Sequence, residues 1–233
     1  MIISVPEGEA FRPIKAKILY TVSLPHILRD DAMDVREFLS AFKLGETVLV
    51  EHSSRSRPEL LFYQLVVGSS LPVVVDDIMD TLCEYLARLK LAGFNTSPLE
   101  EISVVKAEGF KKVGNVIGKI EMGKYVMDVG EYNKILSKVG EGPFVNPVIG
   151  MHKMFLLGTI KEGMRLVKTI SEHVGNERRV AFYFLNIDAL KPVHSEIIAL
   201  LEEIATSVVV LEGREVRVVK TIKEDLEGRS LRF

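Results

Sequence analysis

The chain has 233 residues, 47% of them hydrophobic and 27% charged, with a formal net charge of −2. That balance describes an ordinary soluble globular protein, with enough chain for one large domain or one domain with an appendage. It gives no whole-protein attraction to nucleic acid or an anionic membrane, and the lone cysteine, Cys83, excludes an intramolecular disulfide and a cysteine-cluster metal site.

Residues 1–32 show no sustained periodicity, and Pro6, Pro13 and Pro25 interrupt any long helix. They read as an appendage, or as an over-extended start because Met33 directly precedes a clean helix start, to a domain spanning 33–233. Asp34 to Glu37 is that helix start: the Asp side chain accepts from free amides and the Glu three residues on reaches back. Val35, Phe38, Leu39 and Phe42 follow at helical spacing. Gly45 ends this helix and leads into a short apolar strand, Thr47 to Val50. A polar loop, His52 to Arg57, then meets Pro58, the start of a helix apolar around most of its circumference. Leu71 to Val75 reads as a strand covered on both faces and ending in Asp76-Asp77. The next helix carries Ile78, Leu82, Tyr85, Leu86 and Leu89 on one stripe, with Asp77 placed to cap it. Strand, helix, strand, helix with short joints predicts a parallel sheet.

Ile102 to Lys106 and the alternating Val116 to Met122 are further strand candidates. Residues 129–139 read as a short helix, 140–150 as a loop with Pro143 and Pro147, and Met154 to Val174 as one long helix stopped by Gly175-Asn176. Arg178-Arg179 reads as a solvated turn, the alternative being contact with a neighbouring subunit or nucleic acid. Val180 to Leu185 is a continuous apolar strand, and Pro192 sits near the first turn of a helix with Ile197, Ile198, Leu201 and Ile204. Ser207 to Leu211 and Glu215 to Ile222, joined at Glu212-Gly213, predict an edge hairpin, followed by a charged, loosely held tail.

The stretch from Leu44 to Ser69 organises the chain, because strand, tight loop and buried helix open a nucleotide-binding α/β domain. A working phosphate loop reads G-x-x-x-x-G-K-[ST]. On that frame Glu51 replaces the first Gly, Ser56 the second, Arg57 the Lys and Pro58 the Ser/Thr. Glu51 brings negative charge where phosphates sit, and Ser56 resists the positive φ that Gly accepts. Arg57 is forked where a compact charge is needed, and Pro58 removes the metal-binding hydroxyl and an amide. These departures argue against Mg-ATP hydrolysis. What survives, Ser53, Ser54, Arg55, Ser56 and Arg57 before a helix N-terminus, is either a sulfate, phosphate or carboxylate site or a solvated loop. Asp76 and Asp77, at a strand end where open α/β sheets bind ligands, are either a residual base or metal ligand or a helix cap. The five histidines show no metal-ligand spacing, and no G-x-S-x-G elbow is present.

With those residues laid out, the chain resembles the RecA-like superfamily in its KaiC-like and RadA-like archaeal branch. There a strand ends in Glu-Glu, one the catalytic base, where this chain has Asp76-Asp77; a later strand ends in a metal-binding Asp, where this chain has Asn186 with Asp188 beyond it. The terminal VLEGREVRVVKTIKEDLEGRSLRF looks like the closing hairpin and tail of KaiC-like domains. The resemblance covers roughly residues 34–233 and, in its eroded loop, is similar to an uncharacterised Thermococcales family. It implies a mostly parallel sheet with helices on both faces and a C-terminal hairpin, and it leaves activity open because function resides in the site. No cofactor, metal or catalytic residue is expected. The leading expectation is a non-catalytic protein-binding or assembly module, a homo-oligomer or bound to a protein partner. Its rival is an unconventional nucleotide or anion binder with weak or no ATPase activity. A single-stranded DNA partner is disfavoured by the charge and by the lack of Trp. No apolar run approaches the ~18 residues of a membrane span, and no secretory signal is visible, so a cytoplasmic location is expected. A single glutamine, Gln64, beside plentiful Lys, Arg and Glu fits a thermophilic source.

Overall fold

The computed structural model describes residues 32–120 and 129–233. The expected appendage therefore lies almost wholly outside the described residues, as does the Met122 end of one predicted strand. A two-residue strand, β1 (Ala32–Met33), precedes α1 (Val35–Ala41), which Asp34 caps by accepting from the Glu37 amide at 2.7 Å. Then come β2 (Thr47–His52), α2 (Pro58–Gly68), β3 (Val74–Ile78), α3 (Thr81–Leu91), α4 (Ser97–Glu101), β4 (Ser103–Ala107) and β5 (Asn115–Ile120). The second half runs α5 (Val129–Leu136), β6 (Phe144–Ile149), α6 (Met151–Leu157), α7 (Ile160–Ser171), β7 (Arg179–Asn186) and α8 (Ile187–Ile204). It closes with β8 (Ser207–Glu212), β9 (Glu215–Lys220) and β10 (Ser230–Arg232).

These strands form one sheet in the order β1-β10-β9-β8-β2-β7-β6-β3-β4-β5. From β8 to β5 every pairing is parallel; β9 and β10 reverse direction in turn. Strand alternation sends side chains to two cores. Val48, Val50, Val75 and Phe182 pack under α1 to α4 with Phe38, Phe62 and Leu89. Leu49, Val74, Val105 and Leu185 pack under α5 to α8 with Phe155, Leu166 and Ile197. The architecture is the expected mostly parallel sheet with helices on both faces and antiparallel strands at the C-terminus.

Several elements differ from the sequence reading. The loop expected over 140–150 contains β6, a buried central strand. Its proline is tolerated because the β3–β6 ladder is broken there: Val73 bridges Val145, pairing resumes at Asp76–Val148, and the Asn146 amide donates to the Val74 carbonyl across the gap at 2.8 Å. The long helix is two helices, because Gly158 ends α6 and Thr159 starts α7 with a capping box to Glu162. Helix α8 begins at Ile187, capped by Asn186, well before Pro192, and kinks at His194. The terminal hairpin is not an edge: the tail forms β10 on β9, and Leu231 is 1% exposed. Asp76 and Asp77 lie within β3, which runs on to Ile78, and not at its end.

Ligands in open α/β sheets bind at strand carboxyl ends where neighbouring strands lead to opposite faces. Here β3 leads to α3 on one face while β6 leads to α6 on the other. That crevice is closed by Gly150 (φ 84), where an added Cβ would run into the Thr81 hydroxyl and the Ile78 carbonyl. The other such place lies between β2, which leads to α2, and β7, which leads to α8.

Candidate functional site

The loop between β2 and α2 sits over that second crevice. Its turn is held by its own serines: the Ser53 and Ser56 hydroxyls are 2.9 Å apart, and the Ser56 amide reaches Ser53 Oγ at 3.1 Å. The Ser56 hydroxyl donates to the Leu211 carbonyl of β8 at 2.7 Å. Positive φ among described non-glycine residues is confined to Met79, Asp80 and Glu108, so Ser56 has no need of the left-handed conformation.

Across the crevice, Asn186 and Asp188 reach the loop from the start of α8. The Ser54 amide donates to Asp188 Oδ2 at 2.9 Å, and the Ser54 hydroxyl lies 3.3 Å from Asn186 Oδ1, which also accepts from the Ala189 amide. A carboxylate of the chain itself thus occupies an amide that an anion would need. Arg57 turns to Glu59, its Nε 3.1 Å from Oε1, and Arg88 of α3 approaches the same carboxylate at 3.7 Å. Glu59, in the first turn of α2, is 3% exposed and sets negative charge at the helix's positive end. Arg55 is exposed, and its amide bonds Ser53 Oγ.

The five loop residues are therefore together, with their hydroxyls, the amides of Ser53, Ser54, Arg55 and Ser56 and the Arg57 guanidinium engaged inside the protein. Glu51 is not among them. It shares the face of Leu49 and points to α8, where burial, then the Glu202 side chain, pushes its carboxyl up to about 7. Asp76 and Asp77 do not join the loop or each other, since adjacent residues of a strand face opposite ways. Asp77 accepts from the Leu82 amide at 2.9 Å, the helix-capping role expected of it, and pairs with buried Lys106 at 2.6 Å. Lys106 also reaches Asp80 at 2.5 Å, whose carboxylate accepts from the Phe110 and Lys111 amides. Asp76 faces α5, where the Tyr132 hydroxyl donates to it at 2.7 Å.

Two histidines border the crevice. His52 is 4% exposed; its Nδ1–H donates to the Ser53 carbonyl at 3.1 Å, leaving Nε2 buried with no partner among the described residues. His152, at the start of α6, lies edge-on to it with ring centroids 6.1 Å apart. Burial lowers both imidazoles, His152 to about 4 with His52 and Lys153 adding to the effect, so both are neutral at neutral pH. Spacing in the sequence gave no sign of this pair, because the two residues come from different strand ends.

Of Arg178-Arg179, the first lies in the exposed turn and the second does not. Arg179 is 4% exposed and enters the core beneath α5 and α7. No periodicity marks an Arg at a strand start as buried; the continuous apolar run that follows it was the available signal.

The fold and this crevice define a parallel-sheet α/β protein with a self-bonded loop where such sheets bind ligands. The chain belongs to the family described as Pyrococcus protein of unknown function, DUF257, whose model matches residues 37–232. It is 45% identical to PH0250 of Pyrococcus horikoshii OT3, with a TM-score of 0.82 over 84% of this chain and 97% of that one. PH0321 of Pyrococcus horikoshii, an uncharacterized protein solved in complex with an unknown peptide, is 18% identical, with a TM-score of 0.57 over 77% of this chain and 86% of its own; that likeness concerns the fold alone. The KaiC-like protein PH0186 of Pyrococcus horikoshii OT3 gives 14% identity and a TM-score of 0.49 over 81% of this chain and 85% of its own. No curated protein matches the chain. Among the described residues no helix is long and apolar enough to cross a membrane, and no group of three or more His, Cys, Asp or Glu is placed to hold a metal ion.

Proposed function

We propose that this is a non-catalytic RecA/KaiC-like protein that acts as a protein-binding or assembly module, its loop a degenerate phosphate loop. The observation that carries this reading is the Asp188 carboxylate on the Ser54 amide. Bringing a phosphate to the same amide would set like charges together beside Glu59. The serine hydroxyls and Arg57, already bonded within the protein, have little to offer an incoming anion. A module of this kind needs an apolar surface, and the α6–α7 joint supplies one: Leu156, Ile160 and Met164 are 43%, 41% and 37% exposed. The peptide bound to PH0321 is support by analogy of fold.

Sedimentation velocity over a concentration series, with and without Mg-ATP, tests the assembly reading. Self-association should not respond to nucleotide and should weaken in an Ile160→Asp, Met164→Asp variant. Association that requires Mg-ATP would overturn the reading.

A further inference from the structure

A cavity of about 50 Å³ lies between the sheet and α5 and α7. One water needs on the order of 10–15 Å³ by this measure, so the space holds several non-hydrogen atoms. Much of its wall is apolar, including Val105, Ala107, Leu166 and Ile170, and one part is polar, with Asp76, Tyr132, Arg179 and Tyr183.

That polar part is built with care for geometry. Arg179 donates from Nη1 to Asn146 Oδ1 at 2.5 Å and to the Tyr132 hydroxyl at 3.3 Å, and from Nη2 to the Tyr183 hydroxyl at 2.9 Å. Its Nε–H is buried and has no hydrogen-bond partner among the described residues. The Tyr132 hydroxyl donates to Asp76 Oδ2, while Asp76 Oδ1 is buried with no hydrogen-bond partner among the described residues. Tyr183 accepts from Arg179 and so keeps its own proton to donate. The cavity thus offers one donor on a buried cation and a second on the hydroxyl that this cation holds, with an acidic oxygen nearby and hydrocarbon around them.

We propose that this cavity binds a small monocarboxylic acid with a compact apolar body. Its carboxylate takes the Arg179 Nε–H and the Tyr183 hydroxyl, and its hydrocarbon part lies against Val105, Ala107, Leu166 and Ile170. A carboxylate suits a guanidinium edge, and its single charge complements Arg179. An amine would be opposed by that cation, and a phosphate would bring more charged oxygens than an apolar wall accepts. Asp76 does not bar the ligand: burial raises its carboxyl to about 6 against Tyr132, Arg179 and Asn146, so it can enter the complex protonated and donate from Oδ1. Tyr132, Arg179, Tyr183 and Asn146 are its charged, titratable and polar neighbours, with His173 packed edge-on to Tyr132. Nothing in this inference depends on the loop over the β2–β7 crevice.

The test is calorimetric titration of the full chain with isobutyrate, isobutanol and isobutylamine, each probe also followed by its effect on the melting temperature. Isobutyrate should bind saturably, raise the melting temperature with concentration and take up a proton, seen as heats that depend on the buffer. Isobutanol should bind at least about tenfold more weakly, as should isobutyrate to Ala107→Leu or Ile170→Phe, either of which fills the cavity without touching Arg179. A cooperative melt confirms which filling variant is folded. No saturable binding of isobutyrate, equal binding of isobutanol, or binding unchanged in a folded filling variant each overturns the proposal.

Discussion

Glu51 and Asp76 lie on the same face of the sheet, beneath α5 to α8, and there burial governs both carboxyls. Both sit near the middle of the sheet, and burial lifts both, Glu51 from 4.5 to about 7 and Asp76 from 3.8 to about 6. A raised carboxyl binds its proton more tightly in the folded chain than in the unfolded one. Stability from such a group is therefore greatest below its ordinary value and declines as pH rises to the folded value. For Glu51 the decline falls between pH 4.5 and about 7 and is on the order of 3 kcal/mol at most. Glu51→Gln should melt higher than the parent at pH 8 and lose that part of the pH slope, which thermal denaturation across the window would show. A parent whose stability rises from pH 5 to pH 8, unchanged by Glu51→Gln, would contradict it.

Among the elements, those with local chemistry written into them were legible: the Asp34 cap, Pro58 at the start of α2, the β8–β9 hairpin and the helix over 129–139 all appear. Elements decided by tertiary context were not. Strand β6 reads as loop because Pro143 precedes its short apolar run and Pro147 interrupts it, and the broken β3–β6 ladder accommodates Pro147. The break between α6 and α7 was readable, since Thr159 and Glu162 are spaced as a capping box, but the apolar period running through them conceals it. Thr159→Ala should cost about 1 kcal/mol, measured as a fall in the urea midpoint with an unchanged m value. A neutral outcome would mean that packing alone starts α7.

At the scale of the whole molecule, the order of elements gave the sheet and both helix layers, while the site was only half visible. Ser53 to Arg57 could be picked out as a cluster, but the distant groups that engage Ser54 and Ser56, Asn186, Asp188 and the Leu211 carbonyl, lie more than a hundred residues away. The tail was misread for a similar reason: its charges suggested solvent, yet Leu231 carries β10 onto β9 and so brings β1 into the sheet. Leu231→Ala should destabilise the protein by about 2–5 kcal/mol, the range for emptying a buried leucine site, with hydrogen exchange rising first in β9 and β10. Loss confined to the last few residues would show the tail to be peripheral. The central claim is that the loop over the β2–β7 crevice is satisfied from within the chain. Equilibrium dialysis against labelled ATP, with and without Mg²⁺, tests it most directly. The account predicts no saturable binding at millimolar nucleotide; saturable binding that disappears in Arg57→Ala would contradict it and return the loop to the phosphate-binding class.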